Sequence, residues 1–97
     1  MKIKFRVESQ ILDDEYIVEG NELKDCVIKM ANIYFYNQQI NNENDLINVF
    51  NDEFDIQIKT NNYNEILQTL IDCSFNRGEV IYYVKVNNKV IFDQDNE

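Results

Sequence analysis

The N-terminal part of the chain alternates apolar and polar side chains. In residues 2–8, Ile3, Phe5 and Val7 are separated by charged residues, a period of two that predicts a strand with one solvated face. A second apolar run at residues 16–18 predicts a partner strand, so the two runs are expected to form a β-hairpin. The turn between them is assigned to three consecutive acidic residues, Asp13, Asp14 and Glu15.

The C-terminal part has the strongest β-forming pattern. Residues 79–93 contain two runs rich in Val, Ile, Tyr and Phe on either side of Asn87 and Asn88. Asparagine tolerates the positive φ that a two-residue hairpin turn requires, so Val86 is expected to lie opposite Lys89. Two further cross-strand pairs follow from that register, Val84 with Ile91 and Tyr82 with Asp93.

Both faces of this predicted hairpin are apolar. One face collects Tyr82, Val84, Val86 and Ile91. The other face collects Ile81, Tyr83, Val90 and Phe92, together with Lys85. Such runs are typical of strands covered on both faces, so we expect the hairpin to supply central strands. The alternative is one partly exposed face that binds a partner.

Helical spacing of three and four residues dominates the middle of the chain. A helix over residues 22–36 is predicted to begin after Asn21, a shorter helix over residues 43–52, and a third over residues 63–76, after the N-cap Asn62. The apolar face of the first helix consists of Leu23, Cys26, Val27, Met30, Ala31 and Tyr34.

A third strand is predicted between the second and third helices. Phe54, Ile56 and Ile58 alternate there with Asp55 and Gln57. The predicted order is therefore ββααβαββ. The whole chain is expected to form a single α+β domain with a mainly antiparallel sheet, two main helices, one short helix and a C-terminal β-hairpin.

Charge restricts the partners of such a domain. The 97 residues have a formal charge of −9, which disfavours direct binding to nucleic acid and favours a basic protein partner. The chain contains no continuous apolar run long enough to cross a membrane, and its start lacks the pattern of a targeting peptide. We therefore expect a cytoplasmic protein with no membrane partner.

Side chains suited to catalysis are scarce. The chain has no histidine, and its two glycines, Gly20 and Gly78, lie too far apart in sequence to build a phosphate-binding loop. Residues 41–52 place oxygen ligands at the spacing of a calcium loop, but Leu46 occupies the position that requires glycine. No metal site and no cofactor are therefore expected.

The two cysteines, Cys26 and Cys73, each fall on the apolar face of a predicted helix. They are too few for a disulfide scaffold or a zinc site, so we expect buried free thiols. The sequence thus predicts a protein that is not an enzyme. The alternative is a small enzyme whose carboxylates and tyrosines line a cleft.

Acidic residues are unevenly distributed. No Lys or Arg lies between Lys29 and Lys59, while acidic clusters occur within residues 13–25 and 43–55. The alternative to a binding role is an ordinary solvated surface. The candidate partner-binding residues are eight carboxylates and one aromatic residue of the hairpin: Asp13, Asp14, Glu15, Glu43, Asp45, Asp52, Glu53, Asp55 and Tyr83.

In size, acidity, scarcity of His and Pro, and richness in Asn and Ile, the chain resembles the small acidic inhibitors of bacteriophages and mobile elements, including anti-CRISPR proteins. Such proteins lack catalytic motifs and often occupy a nucleic-acid-binding channel by mimicking phosphates. The resemblance implies a non-enzymatic inhibitor of a basic nucleic-acid-binding enzyme, such as a CRISPR nuclease.

Two other functions stay open. An immunity or antitoxin-like protein would neutralise a basic toxin through the same acidic residues. A small homo-oligomer subunit would instead use the apolar hairpin and the aromatic end of the first helix as its interface.

Overall fold

A four-stranded antiparallel sheet and three amphipathic helices make up the computed structural model, which describes residues 1–95. The strands are β1 (Lys2–Glu8), β2 (Asp13–Glu19), β3 (Val80–Val86) and β4 (Lys89–Asp93). The helices are α1 (Leu23–Tyr34), α2 (Glu43–Phe54) and α3 (Tyr63–Ser74). The strand order is β2-β1-β3-β4, with every neighbouring pair antiparallel. The predicted α+β class and antiparallel sheet are confirmed.

The N-terminal hairpin is confirmed, but its turn lies earlier than predicted. The Ser9 hydroxyl accepts hydrogen bonds from the N–H groups of Ile11 and Leu12 at 3.0 and 2.7 Å, so a serine side chain satisfies the turn. Arg6 lies opposite Glu15, and such opposite-charge pairs favour strand pairing. The three residues assigned to the turn therefore begin β2: Asp13, Asp14 and Glu15.

The turn of the C-terminal hairpin is confirmed. Asn87 and Asn88 have φ of 50° and 69°, the positive values that a two-residue primed turn needs, and Val86 lies opposite Lys89. The Asn87 side chain also ties the turn to β1, because its Oδ1 accepts a hydrogen bond from the Lys2 N–H at 3.0 Å.

Beyond the turn, a β-bulge changes the register of β4. Val84 pairs with Phe92 and Tyr83 with Asp93, so the predicted partners of Val84 and Asp93 are each wrong by one residue. The bulge accompanies an inward-facing Phe92, which packs against the core, and leaves Ile91 40% exposed.

Within residues 1–95, helices cover one face of the sheet. Ile3, Phe5 and Val7 are fully buried, whereas Lys4 and Arg6 between them are partly exposed on the opposite, open face. β3 is central, but β4 is an edge strand. The expected coverage of the hairpin on both faces is therefore wrong, since the helices lie on the side to which the apolar row of β1 points.

Side-chain caps fix where the helices begin. α1 starts after Glu22, one residue later than predicted, and the Asp25 carboxylate accepts a hydrogen bond from the Glu22 N–H at 3.1 Å. The N-cap of α2 is Asn42, and that of α3 is Asn62, as predicted.

The strand predicted at residues 54–58 is not found in the described chain. Phe54 ends α2 because it continues the inward-facing helical spacing, and Asp55 follows as a cap with φ of 55°. Ile56 and Ile58 are partly buried between exposed residues without a strand partner, which explains their alternation. The order is therefore ββαααββ, and all three helices span 12 residues instead of one being short.

The aromatic end of α1 is largely buried. Tyr34 and Phe35 are fully buried, and only Tyr36 is exposed. Phe35 contacts Phe50 and Phe54 of α2, with ring centroids 5.9 and 5.3 Å apart. This aromatic packing joins α2 to α1.

Candidate functional site

The outward-facing side of α2 is a polar surface with little positive charge. We call this surface, formed by Asn44, Asn48, Asn51, Asp52 and Asp55, the α2 surface; all five residues are exposed. Asp52 and Asp55 have no ion pair within residues 1–95. Asp52 lies in the last turn of α2, and Asp55 is the residue that caps its C-terminus.

Two further candidate carboxylates of α2 support the fold. The Tyr63 hydroxyl donates to Glu43 at 2.9 Å, and burial together with this bond raises the pKa of Tyr63 to about 12. Asp45 accepts a hydrogen bond from the Asn41 N–H at 3.0 Å, which holds the loop before the helix. Both carboxylates are partly buried, so they border the α2 surface without being fully presented on it.

Glu53 is the most strongly engaged carboxylate of α2. Arg77 donates to Glu53 at 2.6 Å through Nη1 and to Glu79 at 3.1 Å through Nε. The guanidinium also lies 5.3 Å from the ring centroid of Phe35 and 5.8 Å from that of Phe54. The side chain of Arg77 is only 20% exposed, so this cation is used inside the protein.

The charge around the α2 surface is therefore largely uncompensated. No Lys or Arg occurs between Lys29 and Lys59, and Arg77, which reaches Glu53 from a later part of the chain, is shared with Glu79. An acidic surface of this kind attracts cationic partners over a distance of about 10 Å at ordinary ionic strength.

The acidic residues of β2 are in a different electrostatic environment. Asp13 accepts a hydrogen bond from Arg6 at 2.8 Å, and Glu15 lies 3.4 Å from the Lys4 ammonium. Asp14 bonds locally, because its Oδ1 accepts from the Glu15 N–H at 2.7 Å. The cations of β1 thus offset much of the charge of this cluster.

Tyr83 lies on the open face of the sheet, opposite Arg6. Its ring is partly buried and lies 5.4 Å from the Lys85 ammonium. α2 packs against α1 on the helical side. The nine candidate residues therefore do not form one site: the acidic β2 cluster and Tyr83 belong to the sheet, and the other five belong to α2 and its C-terminal cap.

Two side chains that hold carboxylates next to the α2 surface were not predicted from the sequence. Arg77 holds Glu53, and the Tyr63 hydroxyl holds Glu43. The sequence contains only a weak indication for Arg77, namely that Arg77 is the one cation between Lys59 and Lys85. For Tyr63 the helical pattern indicates burial but not the partner of its hydroxyl.

The described residues contain two free thiols and no group of metal-binding side chains. Within residues 1–95, no three His, Cys, Asp or Glu side chains are grouped so as to hold a metal ion. Cys26 and Cys73 are free, as expected, and burial raises the pKa of both thiols, which disfavours the reactive thiolate. Cys26 is fully buried and Cys73 partly buried.

Residues 1–95 contain no helix with the length and apolar character needed to cross a membrane.

No family model, curated protein or solved structure matches this chain.

Proposed function

We propose that this protein is a non-enzymatic inhibitor that binds a basic, nucleic-acid-binding enzyme such as a CRISPR nuclease. The observation that supports the proposal is the α2 surface, where Asp52 and Asp55 are exposed and free of ion pairs within residues 1–95. The acidic cluster of β2 supports it less, because Lys4 and Arg6 already offset its charge.

The α2 surface would act first through long-range attraction. Carboxylates without internal counter-ions accelerate encounter with a cationic groove and raise the sensitivity of binding to salt. The amides of Asn44, Asn48 and Asn51 would then donate and accept hydrogen bonds at short range. A groove that binds the phosphates of a nucleic acid presents the matching donors.

The test compares two variants that each remove two negative charges. Asp52→Asn with Asp55→Asn changes the α2 surface, and asparagine also tolerates the positive φ of residue 55. Glu65→Gln with Asp72→Asn is the matched control, because both of these residues are exposed on α3.

Tagged wild-type protein and both variants are used to capture partners from a bacterial lysate at about 50 mM and about 200 mM salt. A captured enzyme is then assayed for nucleic-acid binding in the presence of each protein. We expect the wild type and the α3 variant to displace nucleic acid, and the α2 variant to bind about tenfold or more weakly.

Equal binding by the two variants, or capture that does not depend on salt, would contradict the proposal. Capture of a toxin without affinity for nucleic acid would favour the immunity-like function.

A homo-oligomer is the second candidate, favoured by exposed apolar residues on the C-terminal hairpin. Val90 and Ile91 are 46% and 40% exposed, and Phe75, 47% exposed, packs edge-on against Phe92 with ring centroids 5.7 Å apart. Light scattering over a range of concentrations tests this candidate. A monomer at the highest concentration would eliminate it.

A further inference from the structure

We propose that the free edge of β2 binds a basic, extended segment of a partner protein as an added antiparallel strand. This edge lies on the sheet and is distinct from the α2 surface. β2 is an outermost strand with β1 as its one neighbour in the described sheet. A strand with unpaired backbone groups can accept another strand through main-chain hydrogen bonds.

The register between β1 and β2 identifies the backbone groups that face outward. Met1 and Gly20 exchange two backbone hydrogen bonds, each of 3.0 Å, so they form a hydrogen-bonded pair. Such pairs alternate along an antiparallel ladder, and this ladder has no bulge from Lys2 to Glu8. The N–H and C=O groups that point away from β1 are therefore those of Asp13, Glu15, Ile17 and Glu19.

Two observations agree with this assignment. The Glu15 N–H is bonded to the Asp14 side chain at 2.7 Å, and the Glu19 carbonyl accepts from the Lys29 ammonium at 2.6 Å. Both bonds use side chains near the edge to satisfy groups that β1 does not reach. Ile17, between them, has no such substitute within residues 1–95, and its side chain is 56% exposed.

The side chains of β2 define the partner that fits. On the open face the strand presents Asp13, Glu15, Ile17 and Glu19 in alternation. Each of the three carboxylates already lies beside one cation of β1, namely Lys2 at 3.7 Å, Lys4 at 3.4 Å or Arg6 at 2.8 Å. An added strand would place a second Lys or Arg beside each carboxylate, on the side away from β1, and an apolar residue opposite Ile17. β1 already shows part of this pattern, because Lys2 lies opposite Glu19 and Arg6 opposite Glu15.

A second copy of this chain does not suit the same edge. Antiparallel pairing of two β2 strands about Tyr16 would place Asp13 of each copy opposite Glu19 of the other, so carboxylates would face each other. β4, the other edge, is interrupted by its bulge and is shorter, five residues against seven. β2 is therefore the better edge for a basic strand.

The probe is the peptide acetyl-KTITKTK-amide, titrated into the full-length protein labelled with ¹⁵N. The first control is the same peptide N-methylated at each residue that would face β2, which keeps the charge but cannot donate to the edge. The second control replaces every Lys by Glu. We expect binding to shift the resonances of β2, to slow amide hydrogen exchange at Ile17, and to weaken about tenfold or more on N-methylation. The Glu peptide should not bind.

Protein variants test the backbone hydrogen bonds of the β2 edge without changing its charge. Ile17→Pro removes an N–H that points away from β1, a position that an edge strand tolerates, whereas Ile17→Val keeps that N–H. We expect the Pro variant to lose binding about tenfold and the Val variant to retain it. The N-methylated peptide tests the same strand pairing from the other partner, because it removes the N–H groups that would donate to β2 carbonyls, so the proposal stays testable if the Pro variant does not fold.

Several results would overturn this proposal. Equal affinity for the parent and N-methylated peptides would show attraction by charge without strand pairing. Shifts confined to α2 would place the basic peptide elsewhere. A dimer seen in sedimentation for wild type and lost in Ile17→Pro would make a second copy the occupant of the edge.

Discussion

Arg77 links the acidic helix α2 to the segment that precedes β3. It joins Glu53 of α2 to Glu79, which precedes β3, and its guanidinium lies against the rings of Tyr34 and Phe35. The two carboxylates are 26% and 13% exposed, so loss of the cation would leave two partly desolvated charges without their partner.

We predict that Arg77→Met lowers the free energy of unfolding by about 2 kcal/mol, because hydrogen bonds to charged groups are lost and both carboxylates stay partly buried. Arg77→Lys should recover only part of the loss, since an ammonium cannot reproduce the planar fork of the guanidinium. Urea denaturation measures both effects.

The control for Arg77 is Arg6→Met, which breaks two ion pairs on the open face of the sheet. The Arg6 side chain is 34% exposed and the carboxylates of Glu8 and Asp13 are 40% and 66% exposed, so solvent replaces the lost contacts. Its effect should be clearly smaller. A loss of stability equal to that of Arg77→Met would contradict the role assigned to Arg77.

At the scale of elements, the start of α1 is coupled to the end of β2. Gly20 follows β2, and a Cβ atom added there would lie 2.6 Å from the Cβ of Asp25. Asp25 belongs to the capping box with Glu22, so its position is held by hydrogen bonds at the first turn of the helix. The absence of a side chain at Gly20 thus lets strand and helix approach.

We predict that Gly20→Ala lowers the free energy of unfolding by about 1–3 kcal/mol, because the backbone or the capping box must shift. Gly78→Ala is the matched control: a Cβ there would meet no atom of residues 1–95 within 4 Å, and its φ is not positive. That variant should be unchanged or more stable by up to about 1 kcal/mol, since alanine restricts the unfolded chain. Thermal unfolding of the two variants provides the comparison, and equal destabilisation would contradict the proposed close approach.

At the scale of the whole molecule, charge and burial are organised by the two layers. The sheet combines cations of β1 with acids of β2, while α2 carries exposed acids that β1 does not reach. Between the helices, Tyr63 of α3 donates to Glu43 of α2. Burial raises the pKa of Tyr63 to about 12, and it also raises the pKa of Tyr34.

These tyrosines predict a loss of stability in alkali. The unfolded tyrosine has a pKa of about 10, so between about pH 10 and pH 12 the folded state retains the Tyr63 proton that the unfolded state has released. The stabilising contribution is complete below about pH 10 and is lost as the pH rises through the folded pKa.

In this interval the unfolding free energy of the wild type falls as the pH rises. Tyr63→Phe should make that fall less steep, by the equivalent of up to about one bound proton. Tyr36→Phe is the matched control, because it removes the hydroxyl of a tyrosine that is 43% exposed. Urea denaturation at several pH values measures the slopes. A wild-type slope in Tyr63→Phe would exclude Tyr63 as the group that titrates.

Local sequence determined the elements whose patterns depend on near neighbours. Alternation within residues 2–8, helical spacing from Cys26 to Tyr34 and the turn at Asn87 and Asn88 were sufficient, because strands, helices and two-residue turns are set by side-chain period and φ preference. The acidic residues of the candidate sites were also visible in the sequence, since charge is a property of composition.

Only the tertiary structure determined which of these segments and side chains have a partner. Ile56 and Ile58 alternate like a strand but have no neighbouring strand in the described part of the chain, and the bulge in β4 changed the partner of Asp93. Distant contacts also decided which carboxylates are paired. Arg77 neutralises Glu53 from a distant part of the chain, while Asp52 remains free of ion pairs within residues 1–95. Contacts between residues far apart in sequence have no local period, so only the assembled fold distinguishes a structural carboxylate from one presented to a partner.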